Sequence, residues 1–320
     1  MSTRRRRLIL ASGGAIGLLA VAAVGLVAFT GKSAPAPALP DVSPAVTPPF
    51  PAPPRGAVVF AREDRADVLA LAVVQQAHGV LLRASVLGPG GTGVRGLRVS
   101  LGAGDRAGTR KAPAGACGAG CYERTFAPRS RVRAAQVVVR RASRTTTWNV
   151  TLPSTWPAPD AAAMVTRATR VWRRLRTLSY VDRLSSDPSH IVVSHWRIVA
   201  PDRLAYEIEG GGGTSVIVGN QRWDRSAGGS WQKSPALRLH QPQPFWAAAT
   251  DAHVVGGGRI GTRPVWRVSF FDPKTPGWFL VSIDKQDGRT LDVRMWAAAH
   301  FMHDVYGQFD APIKIVPPAP

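Results

Sequence analysis

The chain has 320 residues, 45% of them hydrophobic and 19% charged, which is enough apolar side chain to bury a core and too much for a disordered protein. Its 41 lysines and arginines outnumber 20 aspartates and glutamates, for a formal charge of +21, yet the excess is spread as +5 in residues 1–56, +10 in 57–153 and +6 in 154–320. Arginine makes up 35 of the basic residues in a chain rich in alanine, glycine and proline. No one stretch concentrates charge as a nucleic-acid surface does, so that class is set aside. Anionic headgroups and polyanionic envelope polymers remain as electrostatic partners.

Residues 4–7 are four arginines, and residues 8–29 are an uncharged run of apolar and small side chains. At a rise of about 1.5 Å per residue the run reaches across the roughly 30 Å hydrocarbon layer of a bilayer. Arginines before it and only Lys32 close behind it predict a cytoplasmic N-terminus, a single pass through the cell membrane, and extracytoplasmic placement of all that follows. A cleaved signal peptide is the alternative, although its apolar region is ordinarily shorter. No cysteine stands after the run to carry a lipid anchor. Residues 32–56 hold nine prolines and almost nothing that packs, which predicts an extended tether. The chain thus divides into an anchor or signal segment (1–31), a Pro-rich linker (32–56) and two exported modules (57–153 and 154–320).

The first module is a series of short apolar runs separated by turn signals: VLALAVV, VLLRASVL, GLRVSL, CYERTF, AAQVVV and TTWNVTL, with GPGGTG at 88–93 as a hairpin-type break. About seven short strands at such spacing predict an immunoglobulin-like β-sandwich. The segments GVLLRASVLGPGGTGVRGLRVSL and CGAGCYERTF also loosely resemble the YtkA-like sandwich modules of bacterial envelope proteins. Both cysteines lie here, as GACGAGCYE. In an oxidising compartment Cys117 and Cys121 predict a disulfide closing a short glycine-rich loop; a soft-metal site is the alternative, without a nearby His or Met to complete it.

After PSTWPAPD comes the one clearly amphipathic stretch, DAAAMVTRATRVWRRLRTLSYVDRL, residues 160–184. Ala161, Met164, Val165, Ala168, Val171, Trp172, Leu175 and Leu178 recur at helical spacing, with arginines on the remaining surface and Asp160 as the expected N-cap. Everything beyond it reads as strand. In RLAYEIE, Leu204, Tyr206 and Ile208 alternate with polar neighbours, the mark of a sheet with one apolar and one wet face. TSVIVGNQRWD, VWRVSFFD, WFLVSID and TLDVRMW continue the series between glycine-rich breaks, and nine of the ten tryptophans fall in this module. One helix followed by a long antiparallel meander buries itself by curling the sheet around the helix.

The succession AAAMVTRATRVWRRLRTLSY, HWRIVAPDRLAYEIEGG, SVIVGNQRWDRSAGGSWQKS, VWRVSFFDP and WFLVSIDKQDGRTLDVRMW resembles the LolA-like lipoprotein and lipid carrier superfamily, including envelope carriers of the LppX and LprG type. The resemblance covers residues 160 to about 318. It implies a curved half-barrel and helix enclosing an apolar space for a lipid or the acyl chain of a lipidated protein. The anchor and the extra sandwich depart from that family's pattern. By strand parity the residues expected to line the space are Trp196 and Ile198; Leu204, Tyr206 and Ile208; Trp266, Val268 and Phe270; and, from the helix, Trp172. An ordinary closed core around Trp172 and Leu175 is the competing expectation.

In AHFMHDVYG, His300, Met302 and His303, with Asp304, supply copper- or zinc-type ligands, but on a strand 300 and 303 point to opposite faces. His190 and His195 are expected on the wet face. No nucleophile elbow, zinc-protease helix or phosphate-cradling loop is present, and GGGG at 210–213 is expected as a hairpin turn, so nothing points to catalysis or a cofactor. The leading expectation is a membrane-tethered protein binding a hydrophobic ligand; a metal-binding envelope module and a ligand-free interaction scaffold are the alternatives.

Overall fold

The computed structural model describes residues 50–105, 109–127, 132–187, 189–236, 243–247 and 249–319. The expected membrane-spanning run and most of the Pro-rich linker lie outside the described residues. Among the described residues no helix is long and apolar enough to cross a membrane.

Nine strands come first: β1 (Val58–Asp64), β2 (Asp67–Gln76), β3 (Gly79–Leu87), β4 (Arg98–Gly104), β5 (Thr109–Pro113), β6 (Gly115–Gly118), β7 (Cys121–Phe126), β8 (Ala134–Arg141) and β9 (Arg144–Thr151). They form two antiparallel sheets, ordered β1-β2-β3-β7-β6 and β5-β4-β8-β9. Period-two alternation gives the second of these sheets one apolar face, whereas β2 of the first is buried on both, with Leu69 and Leu71 on one side and Val68 and Ala70 on the other. Leu69, Leu71, Leu82 and Ala84 of one sheet meet Val99, Leu101, Val137 and Val150 of the other in a shared core. Each expected run is a strand, joined by β1, β5 and β6. Cys117 and Cys121 are disulfide-bonded across the turn between β6 and β7. That loop presses on the break at 88–93, where a Cβ on Gly93 would stand 2.1 Å from the Ala119 carbonyl oxygen, so only glycine fits.

The second part starts with α1 (Ala162–Trp172), whose N-cap is Ala161 and not the expected Asp160; Asp160 stands one residue earlier, its Oδ1 accepting from the Ala162 amide at 2.9 Å. Eleven strands follow: β10 (Thr177–Asp187), β11 (His190–Val199), β12 (Arg203–Ile208), β13 (Gly213–Val218), β14 (Gln221–Arg225), β15 (Gln232–Pro235), β16 (Thr250–Ile260), β17 (Arg263–Asp272), β18 (Gly277–Asp284), β19 (Thr290–Ala297) and β20 (His300–Gly307). They make one antiparallel sheet ordered β15-β14-β13-β12-β11-β10-β20-β19-β18-β17-β16. The connection at 209–213 is a turn, with Gly210 and Gly211 both at positive φ.

The helix is shorter than the sequence predicts. It ends at Trp172, and TLSYVDRLSSD is β10. Val171, Trp172, Leu175 and Leu178 fit helical spacing, but from Leu178 onward Leu178, Tyr180, Asp182 and Leu184 also alternate at period two. The strand assignment prevails because β10 gains hydrogen-bonded neighbours on both sides, β11 and β20. This strand is the centre of the sheet.

The sheet curls around α1. Its concave face supplies the largest core of the molecule, where Val165, Ala168 and Trp172 of the helix meet Trp196, Leu204, Val268, Phe270, Phe279 and Val293 of the strands. The convex face is covered at two places. Phe271, Trp278 and Phe301 pack against Phe50, Val59, Val68 and Leu87, which docks the sandwich; Phe50 stacks on Trp278 at 5.5 Å. At the other end Ile313 and Ile315 of the C-terminal tail lie over Ala205, Val216 and Trp223. Between these covers the middle strands are bare, with Ile191 48% and Val305 42% exposed.

Candidate ligand-binding hollow

Two rows of side chains run across the concave face, set by the strand register. The first is aromatic. Tyr206, Trp196, Tyr180 and Tyr306 are successive cross-strand partners on β12, β11, β10 and β20. Their rings follow one another at 4.5, 5.6 and 5.2 Å, the first two pairs stacked. Offset and stacked contacts of this kind add about 0.5–1.5 kcal/mol per pair beyond burial. The row ends in a polar cluster, where Arg222 donates to the Tyr206 hydroxyl at 3.2 Å and pairs with Asp224 at 2.7 Å.

The second row is apolar except at its middle. From β12 to β16 it reads Ile208, Ser194, Asp182, Asp304, Val293, Val281, Val268 and Val254, each the cross-strand partner of the next. Two carboxyls therefore face each other directly in a wall of valines. Asp182 is 8% exposed and Asp304 2%. Tyr306 donates to Asp304 Oδ2 at 2.7 Å, Ser194 to Asp182 Oδ2 at 3.5 Å, and the Trp196 indole N–H to Ser194 at 2.7 Å. Each Oδ1 is buried with no other donor, so the two are left to satisfy each other.

Like charges directly opposite on a sheet are unfavourable, and burial penalises both. Burial raises the Asp182 pKa to about 6, even though hydrogen bonds from Asp304 and Ser194 and the nearby His303 favour its charged form. Burial, reinforced by the Asp182 charge, holds Asp304 protonated well above the ordinary carboxyl range. At neutral pH Asp304 keeps its proton and donates it to the Asp182 carboxylate. The same burial, with the Asp304 charge next, raises the phenols of Tyr180 and Tyr306 well above their usual range, so both stay neutral donors.

The hollow in front of these rows is filled by side chains. Trp172 of α1 and Trp246, from the irregular segment before β16, meet edge-on at 5.3 Å, and each stands nearly perpendicular to Tyr306. Trp246 has no exposed surface, yet its indole N–H finds no acceptor among the described residues.

Of the residues expected to line an apolar space, Trp172, Trp196, Ile198, Leu204, Tyr206, Val268 and Phe270 are buried in this core, and Ile208 and Trp266 are half-buried against it. All nine face the concave side. Trp266 stands at the rim beneath Lys285, whose Nζ lies 3.6 Å from its ring centroid, a cation–π contact. The His300, Met302 and His303 set does not converge. Met302 faces the concave core, His300 bonds the Ala298 carbonyl, and His303, of opposite parity to Met302, pairs with Asp292. Among the described residues no cluster of three or more His, Cys, Asp or Glu side chains could hold a metal ion. His190 and His195 are exposed and paired with Asp187 and Glu209.

Asp182 and Trp246 are absent from the sequence expectations, and Asp304 enters them only as a metal-type ligand, not as half of a buried pair. The aspartates carried a signal: in LSYVDRL and FMHDVYG each sits at the parity otherwise taken by Leu178, Tyr180 and Leu184, or by Met302 and Tyr306. A charged residue in an apolar register is a buried polar group. Trp246 lies in QPFWAAA, which has no period to read.

Fold and hollow together define a mainly antiparallel β-protein whose open, curved sheet is packed on a single helix. No family model matches the chain, and no curated protein does. Among solved structures it is similar to LprF from Mycobacterium bovis, at 11% identity over 51% of this chain and 100% of that one with a TM-score of 0.41. It is also similar to the Mycobacterium tuberculosis lipoprotein LppX, at 9% identity over 48% of this chain and 97% of that one with a TM-score of 0.38. A likeness at that level supports no conclusion about function.

Proposed function

We propose that the curved sheet binds a hydrophobic ligand, a lipid or the acyl chain of a lipidated protein, with the ligand taking the place of Trp246 against the aromatic row. The observation that carries this is the Trp246 plug. A core evolved only to close would give a buried indole N–H an acceptor, because leaving one unmade costs about 1–3 kcal/mol; here that donor finds none among the described residues, and its ring is packed in an apolar core. Mostly apolar walls with a few convergent polar groups are the usual composition of a small-molecule site. The nine lining residues form the wall, and Asp304 and Asp182 offer a donor and an acceptor to a polar group on the ligand. The cell envelope is the place for this activity, with residues 8–29 holding the protein at the membrane and 57–153 serving as an immunoglobulin-type module between tether and binding domain.

The test is native mass spectrometry of the protein from a bacterial envelope, before and after organic extraction. Extra mass of several hundred daltons, removed by solvent, is the expected result, and Trp246→Ala should raise the occupied fraction. A bare polypeptide mass in both proteins, with no uptake of added lipid by the variant, would overturn the proposal.

A further inference from the structure

A second cavity, of about 200 Å³, opens on the convex face, where the sandwich overhangs the sheet. It lies across the sheet from the hollow, and of its lining Met295 and Met302 also belong to the concave core. Its wall is one cross-strand row: Arg183 on β10 lies directly opposite His303 on β20, which lies directly opposite Arg294 on β19. Adjacent strands stand about 4.8 Å apart, so three groups able to carry positive charge fall within about 10 Å. Side chains of like charge placed directly opposite one another destabilise a sheet, and neutralisation within the protein is incomplete. Asp292 bonds His303 and reaches Arg294 only at 4.0 Å. Arg183 makes no ion pair among the described residues. The next row supplies the floor, with Ile191, Ser185, Phe301 and Trp296 side by side, and Glu63 of β1 closes the cavity from the sandwich side.

We propose that this cavity binds an oxyanion of the phosphate class, held between the guanidiniums of Arg183 and Arg294 with His303 between them. Guanidinium groups present planar pairs of N–H donors that match phosphate oxygens. The aromatic floor lowers the local dielectric and strengthens the contact. Glu63 is the one carboxylate among the described residues that line the cavity, so it opposes the anion and sets the affinity. The chemistry is shared by free phosphate and by the phosphodiester of a lipid headgroup. Because Glu63 belongs to the sandwich, docking closes the cavity and at the same time sets a negative charge against the anion.

The full chain in a nonionic detergent would be titrated by calorimetry with inorganic phosphate, with dihexanoyl phosphatidylglycerol, and with dihexanoyl phosphatidylcholine. Saturable binding of phosphate, weakened about tenfold by Arg183→Gln and by Arg294→Gln and strengthened by Glu63→Gln, is expected. Phosphate bound as tightly as phosphatidylglycerol identifies a free-ion site; phosphatidylglycerol bound more tightly than phosphate or phosphatidylcholine identifies an anionic headgroup. Arg183 and Glu63 are exposed, so neither variant threatens the fold. Absence of saturable binding of any of the three, or binding indifferent to both Arg183→Gln and Glu63→Gln, would overturn the proposal.

Discussion

Replacing Asp182 with asparagine should make the protein more stable at pH 8 while changing it little at pH 4. In the folded protein the Asp182 pKa is raised from 3.8 to about 6, with burial the largest cause. A raised carboxyl means that the folded state holds a proton that the unfolded chain releases. The stabilisation is fully present below the unfolded value and is lost as pH climbs through the folded one. Two pKa units at 1.36 kcal/mol each correspond to about 3 kcal/mol lost between roughly pH 4 and pH 6. Asparagine has nearly the same shape, accepts from Asp304 through its amide oxygen and cannot ionise, so it avoids that loss. Acid also raises the net charge of an already basic chain, which disfavours the folded state through self-repulsion. The informative quantity is therefore the difference between variant and parent, from guanidinium denaturation followed by tryptophan fluorescence at several pH values. A difference that stays flat from pH 4 to 8 would refute the buried, proton-sharing pair.

Trp278→Ala should cost about 3–5 kcal/mol, because Trp278 is 1% exposed and packs on Phe50 and Phe271 at the junction of sandwich and sheet. Differential scanning calorimetry should then resolve separate transitions for the two parts, and an unchanged single transition would contradict a junction built on that ring. Cys117→Ser, or reduction of the parent protein, should lower stability by only about 2 kcal/mol, since the loop closed is short. Denaturation with and without reductant measures this, and a loss several times larger would mean that the bond does more than restrict the unfolded chain.

Alternation made much of this architecture legible. RLAYEIE placed Leu204, Tyr206 and Ile208 on the concave side because one face of β12 is apolar and the other is not. The six runs of the sandwich were readable as short apolar stretches between turn signals. The end of the helix was not, because Leu178 fits the helical spacing behind it and the period-two alternation ahead of it, and only pairing with β11 and β20 decides between them. The docking of the sandwich was hidden as well. In VSFFD and GWFLVSID both faces are apolar, since Phe270 and Phe279 meet the helix-side core while Phe271 and Trp278 meet the sandwich, and a continuous apolar run does not say what covers each side. Asp182 was misread with its segment: inside a supposed helix its parity had no meaning, and inside a strand it marks the middle of the wall.

The eleven-stranded sheet ends at β15 on one side and β16 on the other, and the outer edge of β16 is bridged by the segment that leads into α1, where the Ala161 amide donates to the Ala252 carbonyl at 2.8 Å and the Val254 amide to the Pro159 carbonyl at 2.9 Å. A closed barrel has its girth fixed by strand number and stagger. Here the sheet is open, but its β16 margin is tied to the entry of the helix, whereas the β15 margin carries no further strand among the described residues. For the hydrophobic ligand proposed above, a change of girth would therefore be taken up on the β15 side of the sheet.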